Sequence, residues 1–429
     1  MRKSLARMLI IFLTVIVAVP ALPVSASEQS SSTAAVHYDH SSDQKIIQKI
    51  ESLDTDSDGK TISVNVQGMG ITTSNVKSVT SGIFNSAPQL FYIYKSYRAY
   101  TESGTSNIKR IAFTMNMSVS SAKTMTGKLK QELSRIDKHV SRSGMSDEEI
   151  ALAVHDYIAA NTMYDRSFSG SHINDLYGAL VGHKAVCEGY AQAYQYVMQH
   201  YGVHTSIVTS DNACHAWNIV KIRGNWYHVD VTWDDPIKGS SATDEPGAVN
   251  HNYFLLSTST LLKKSSSDAR RQDFVIEKSG SEKYSSMTSK KFENGFWKKS
   301  KSAMWYYGGK WYYSDKDRFE IVRYDYKTKS SKKIIRDSSV KWPVAGKKRT
   351  YYAGSYSYLA ADGRYLYYTM PTKVCRYDMG TGRKTTKATC KAASGSVYGV
   401  KISNGSLYYV IKKAPYGTRT GSLRKLGLK

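Results

Sequence analysis

Three side chains in the middle of this sequence have the types and order needed to attack an amide: Cys187 in "VCEGYAQAYQYVMQHYG", His215 in "CHAWNIV" and Asp230 in "WYHVDVTWDDP". Thiolate is the nucleophilic form of cysteine, and the unpaired N–H groups and dipole at a helix N-terminus favour it. Cys187 opens a helical stripe of Cys187, Ala191, Tyr194, Met198 and Tyr201, spaced four, three, four and three residues apart. His215, 28 residues on, is of the type that takes a thiol proton and later returns it to a leaving amine. Asp230, 15 residues further, supplies a carboxylate that fixes an imidazole tautomer. Taken singly, a helical cysteine is usually a small inert hydrophobe and a histidine is usually structural. The conjunction of the three carries the reading.

The helix and strands that carry these residues can be read from the same stretches. A helix starts at Cys187; strands follow at "HTSIVTS", "CHAWNIVKI" and "WYHVDVTW", and a turn at Arg223-Gly224-Asn225, centred on Gly224-Asn225, folds the last two into a hairpin. That hairpin brings Asp230 back toward His215, which shares a strand face with Trp217 and Ile219. Cys214 is expected on the opposite face as packing. A zinc site from Cys187, Cys214, His215, His228 and Asp230 has the right ligand types, but its spacings match no zinc pattern. His155, His172, His183 and His251 read as surface or core histidines, Trp217, Trp226 and Trp233 as core under the hairpin, and Tyr164 as a residue bordering the site.

"GHKAVCEGYAQAYQYV" followed by "CHAWNIVKIRGNWYHVDVTWDDP" resembles the transglutaminase-like superfamily, with "VHDYIAANTMYD" and "NYFLLS" similar to flanks of its secreted bacterial members. The resemblance covers residues 145–257, and "SAPQLFYIY" in the front piece is similar to a segment that often precedes this domain. It implies an α+β, papain-like core in which a central helix carrying the cysteine packs on an antiparallel sheet. By the same resemblance Cys187 is the nucleophile, His215 the general base and acid, and Asp230 the orienting carboxylate; the oxyanion donors are unassigned, with the Cys187 N–H the natural candidate. The superfamily includes crosslinking acyltransferases, deamidases, peptidases and inactive members. The shared step is attack of a thiolate on an amide carbonyl to give a thioester, and an amine or water resolves it. No metal or organic cofactor is implied, and the substrate is a protein or peptide.

The rest of the 429 residues frames this core. Arg2, Lys3 and Arg7, the apolar run Met8 to Val19 and the small-x-small Val24-Ser25-Ala26 read as a secretory signal over residues 1–26. A polar, serine-rich leader follows (27–44), then an α+β piece (45–144), the core (145–257), and a Ser/Lys-rich linker or loosely packed extension (258–294). Ser146-Asp147-Glu148-Glu149 fits a capping box and marks where the core begins. No segment after the signal is long and apolar enough to span a membrane.

Residues 295–429 form a basic, tyrosine-rich tail. From 291 onward there are 31 Lys and Arg against 8 Asp and Glu, a net +23 of the chain's +25. Such a field favours a polyanion, and for an exported protein that means an anionic cell-surface polymer or anionic lipid headgroups rather than nucleic acid; a Gram-positive envelope suits it. "GGKWYY", "DGRYLYY" and "NGSLYY" end at Tyr313, Tyr368 and Tyr409, at intervals of 55 and 41 residues. This pattern suits propeller-like blades or stacked sheet repeats, although fewer than the ~4 units that close a propeller are visible, and an ordinary small all-β domain fits as well. Cys375 and Cys390 lie close enough in sequence to pair, which spacing alone leaves open. The readings that compete for the whole chain are a thiol acyltransferase, a cysteine peptidase, and a non-catalytic envelope-binding protein that uses this scaffold.

Overall fold

The computed structural model describes residues 15–16, 42–236, 246–278, 283–343, 350–352, 356–403, 405–413 and 422–428. The expected signal and leader lie outside the described residues except for Val15–Ile16 and residues 42–44. The chain divides into two compact units, residues 1–127 with 277–283, and residues 128–276 with 284–429.

In the first unit, α1 (Asp43–Glu51) and α2 (Val76–Ser86) pack on a four-stranded sheet of order β1 (Val15–Ile16), β3 (Ile93–Thr101), β4 (Ile108–Met115), β2 (Thr61–Asn65). β3 and β4 are the antiparallel pair expected from "QLFYIYKSYRAY" and "IKRIAFTMNM". Ile46, Ile50, Ile62, Val64, Ile83, Ile111 and Phe113 share its core. The unit boundary runs through α3 (Val119–Ile136).

The second unit is built around α6 (Cys187–His200) and a sheet in which every pairing is antiparallel, in the order β10 (Phe254–Leu256), β9 (Asn225–Val229), β8 (His215–Ile222), β7 (Thr205–Ser210), β11 (Val275–Ile276). This is the α+β core expected from the sequence. Ala191, Ile207 and Ala216 join helix to sheet on one face. Val208, Trp217, Ile219, Trp226 and Leu256 fill the other.

α6 stops where Gly202 takes φ 71 and the Gly202 and Val203 N–H groups donate to Gln199 and Met198 carbonyls, a closing turn that needs a left-handed residue. The β8–β9 turn is Arg223-Gly224, with φ 50 and 82, because Ile222 pairs with Asn225; Asn225 therefore belongs to the strand and not to the turn.

α4 (Asp147–Asn161) begins with the expected capping box, Ser146 N–H and Oγ donating to Glu149 Oε2 at 3.0 and 2.9 Å. It is buried on all sides, and the tail covers its N-terminus: Trp311 Nε1 donates to Glu149 Oε1 at 2.9 Å and Tyr326 Oη to Glu148 Oε1 at 3.1 Å. Among the described residues the tail forms antiparallel sheets of four, two, four and three strands and no closed propeller. The three aromatic motifs occupy the second strand of their sheets: β13 (Lys310–Ser314), β19 (Tyr365–Met370) and β23 (Ser406–Lys412).

Cys375 and Cys390 are free thiols. Cys375 pairs in register with Thr386, which leaves Cys390 beyond the end of that ladder. Residues 258–294 are less loose than expected. α8 (Thr258–Lys263), α9 (Ser266–Ala269) and the turn Arg270–Asp273 pack tightly enough to bury Leu261, Asp268 and Arg271 completely, because Ser257 and Ser265 cap the two helices and the Asp268–Arg271 pair neutralises itself. No helix among the described residues is long and apolar enough to cross a membrane.

A polar cluster lies inside this unit. His155 Nδ1 meets Asp156 Oδ1 at 2.7 Å, its Nε2 meets Asp234 Oδ2 at 3.2 Å, and His251 Nε2 meets Asp156 Oδ1 at 3.0 Å. The backbone N–H of Met304 donates to Asp156 Oδ2 at 2.6 Å, and those of Asn252 and Tyr253 to Asp234 at 2.7 and 2.9 Å. His155 and His251 are thus core residues that fasten α4, the loop after β9 and the start of the tail. Burial opposes charge on His155, but the Asp156 and Asp234 carboxylates outweigh it and push its pKa up to about 9 from 6.5. Its stabilisation is therefore complete below the unfolded value and fades as pH rises through the folded one. His155→Gln is expected to cost about 3–5 kcal/mol near pH 6. In urea unfolding the gap to wild type should narrow steadily between 6.5 and about 9.

Candidate functional site

Cys187 is the first residue of α6, after Val186 in an extended conformation, so its N–H is one of those a helix leaves without an intrahelical acceptor. The approach to this helix is tight. A Cβ on Gly189 would stand 2.7 Å from the Ile173 carbonyl oxygen and 2.8 Å from Ala185 Cβ. Cys187 packs on the Ala191, Ile207 and Ala216 cluster, which brings it beside the residue preceding Ala216 in the chain, His215.

His215 opens β8 and Asp230 follows the last residue of β9, so the antiparallel register closes the gap between them: His215 Nε2 lies 2.8 Å from Asp230 Oδ2. The other ring nitrogen is left for the Cys187 thiol, whose proximity is among the causes that raise the His215 pKa. The ring stacks on Trp217 at 5.8 Å and 13° and meets the edge of Trp233 at 6.0 Å. Asp230 Oδ1 accepts the Trp233 N–H at 3.0 Å, capping the short helix α7 (Val231–Asp234). Cys187, His215 and Asp230, singled out from the sequence, are thus together in space.

Burial disfavours charge on both partners, yet the pairing prevails. Asp230 and Cys187 push the His215 pKa up to about 9, while His215 and Arg271 bring Asp230 down to about 2. An imidazolium at His215 is the form this environment favours. Tyr164, at the end of β5 (Met163–Tyr164), borders the site as expected; burial, then the Cys187 and Asp230 charges, move its phenol up to about 12.

Other expectations are revised. Cys214 is not on the back face of β8. It sits in the preceding turn at φ 47, exposed, with Sγ on the Asp211 carbonyl at 3.3 Å. His228 is buried, accepts from Trp217 Nε1 at 3.0 Å and contacts Thr258 Oγ1 at 2.9 Å, which occupies both ring nitrogens and leaves it no role as a ligand. Trp217 and Trp226 are core, whereas Trp233 is 38% exposed and forms a wall of the site, because α7 turns it toward His215. His172 is partly exposed and pairs with Asp175 Oδ2 at 2.7 Å.

One residue escaped the sequence reading. Arg271 is fully buried, its Nη1 2.8 Å from Asp230 Oδ2 and its Nε 3.3 Å from Asp268 Oδ1. Its guanidinium lies over Trp217, Trp233 and Tyr253 at 4.9, 4.6 and 5.5 Å. The only signal was an Arg pair in a polar stretch, a pattern that ordinarily marks a solvated surface.

A site of this kind on a helix-on-antiparallel-sheet core defines a thiol protein of papain-like architecture. Residues 134–231 match the model of the transglutaminase-like superfamily, and this segment of the chain is a transglutaminase-like domain. Among solved structures, a TGase is 11% identical over 47% of this chain and 60% of its own, with a TM-score of 0.24. A protein of Cytophaga hutchinsonii assigned as a cysteine protease is 12% identical over 32% of this chain and 61% of its own, with a TM-score of 0.20. Menin is 19% identical over 50% and 39%, with a TM-score of 0.24. The chain thus spans less than two thirds of these neighbours, and the domain assignment rests on the family match. No curated protein matches the chain.

Asp230→Asn tests the electrostatics directly. Asparagine keeps the cap on α7 but removes the anion, so the His215 imidazolium should titrate well below its present value of about 9 in an NMR pH titration.

Proposed function

We propose that the chain is a thiol enzyme that attacks side-chain or backbone amides of proteins or peptides. Cys187 adds to the carbonyl carbon to give a tetrahedral oxyanion, with the Cys187 N–H as a donor to it. His215, having held the thiol proton, delivers it to the departing amine, and a thioester remains. An amine or a water, deprotonated by His215, then releases the acyl group. Asp230 holds the imidazole in the tautomer that presents Nδ1 to the sulfur. The observation that carries this reading is the 2.8 Å contact between His215 Nε2 and Asp230 Oδ2 beside a thiol at a helix N-terminus.

Export follows on this reading from the signal-like residues 1–26, and retention at an anionic cell-surface polymer from the net +23 beyond residue 290. That charge also favours a second reading, a non-catalytic envelope-binding protein. The test is mass spectrometry of a panel of glutamine-containing proteins and peptides incubated with the chain and a primary amine, beside Cys187→Ala. Amine adducts absent from the variant are the expected result for acyl transfer; deamidated or cleaved products assign a hydrolase or peptidase. A panel unchanged by both chains favours the binding protein. Within the enzyme reading, Asp230→Asn should lower turnover by about 10⁴ with little change in KM.

A further inference from the structure

We propose that Arg271 is a positioning residue of the thiol site, a buried cation that clamps Asp230 and sets the pH range over which Cys187 and His215 form their ion pair. The inference rests on the thiol-site reading above and adds a member that no motif marks.

Asp230 Oδ2 is shared: His215 Nε2 reaches it at 2.8 Å and Arg271 Nη1 at 2.8 Å, while Oδ1 takes the Trp233 N–H. The carboxylate therefore has no freedom to rotate away from the imidazole. Arg271 is itself fixed from three directions. Asp268 Oδ1 holds its Nε at 3.3 Å, Trp217, Trp233 and Tyr253 enclose its planar face, and no part of it reaches solvent. Two of those enclosing rings, Trp217 and Trp233, also border the His215 ring.

The charges facing Asp230 are His215, Arg271 and Cys187 beyond the imidazole, with His228, Tyr253 and Tyr164 at longer range. Asp268 faces Arg271 from behind, where Ser265 Oγ and Tyr253 Oη also donate to it. Within this set Arg271 is a fixed cation, so removing it disfavours every deprotonation beside it. Removing its counter-anion Asp268 does the reverse.

The experiment follows Cys187 alkylation by iodoacetamide against pH in the full chain. No amide substrate is needed, so its outcome is independent of the substrate panel. The wild-type rate should step up twice, where the thiolate–imidazolium pair forms and again where the imidazolium loses its proton. Arg271→Gln should move both steps to higher pH by about one unit or more. Asp268→Asn, close to isosteric and able to keep its hydroxyl partners, should move both to lower pH, and it decides the matter if the glutamine variant does not fold. A residue with a merely structural role would change the folded fraction and move neither step. Two wild-type steps that Arg271→Gln or Asp268→Asn leaves in place overturn the role of Arg271 alone. A single step at an ordinary free-thiol pH in the wild type overturns the thiol-site reading and this inference with it.

Discussion

A carboxylate with no access to solvent is the constraint around which this core is arranged. Asp230 is 1% exposed, and an anion so placed is tolerated only where cations and N–H groups replace the water it has lost. His215, Arg271 and the Trp233 N–H supply that replacement, and each comes from a different element: the start of β8, the turn after α9, and α7. Satisfying one buried charge therefore fixes three segments at once. The same arrangement delivers an imidazole, at a set angle, to the N-terminus of α6.

A second buried network does for the scaffold what the first does for the site. His155, Asp156, His251 and Asp234 join α4 to the loop behind α7, and Met304 extends the network into the tail. Asp234 lies four residues from Asp230, on the single turn that ties the two networks together. The tail is consequently part of the core's support. Its Trp311 completes the hydrogen bonding of the α4 capping box, and Met304 occupies a lone pair that Asp156 would otherwise leave unmet. Through Met304, Trp311 and Tyr326 the start of the tail is thus fastened to α4.

Much of this was legible locally. The helix stripe beginning at Cys187, the Ser146–Glu149 capping box, and the β8–β9 hairpin are written in spacing, caps and turn residues that act within a few positions of one another. The hairpin made the approach of His215 and Asp230 legible, but not its register, because the turn lies at Arg223-Gly224, one residue before Gly224-Asn225. Arg271 was not. It sits in a polar, aperiodic stretch, and its burial depends on aromatic rings from β8, α7 and the Tyr253 loop that no local pattern connects to it. Trp233 was misplaced for a related reason, since a tryptophan beside a hairpin is ordinarily core, and only the turn of α7 directs it to the site. Cys214 lies one residue before β8 begins, so strand alternation does not reach it.

The sequence by itself determined the candidate nucleophile, base and carboxylate, the helix and strands that bear them, and the concentration of positive charge in the tail, because each depends on short-range chemistry or on composition. The folded arrangement was needed to show which charges Asp230 shares, which histidines are core and which face solvent, that Cys375 and Cys390 stay apart, and how the tail closes over α4. Those outcomes turn on contacts between residues tens to hundreds of positions apart, where the cost of burying a polar group selects a partner that the linear chain does not reveal.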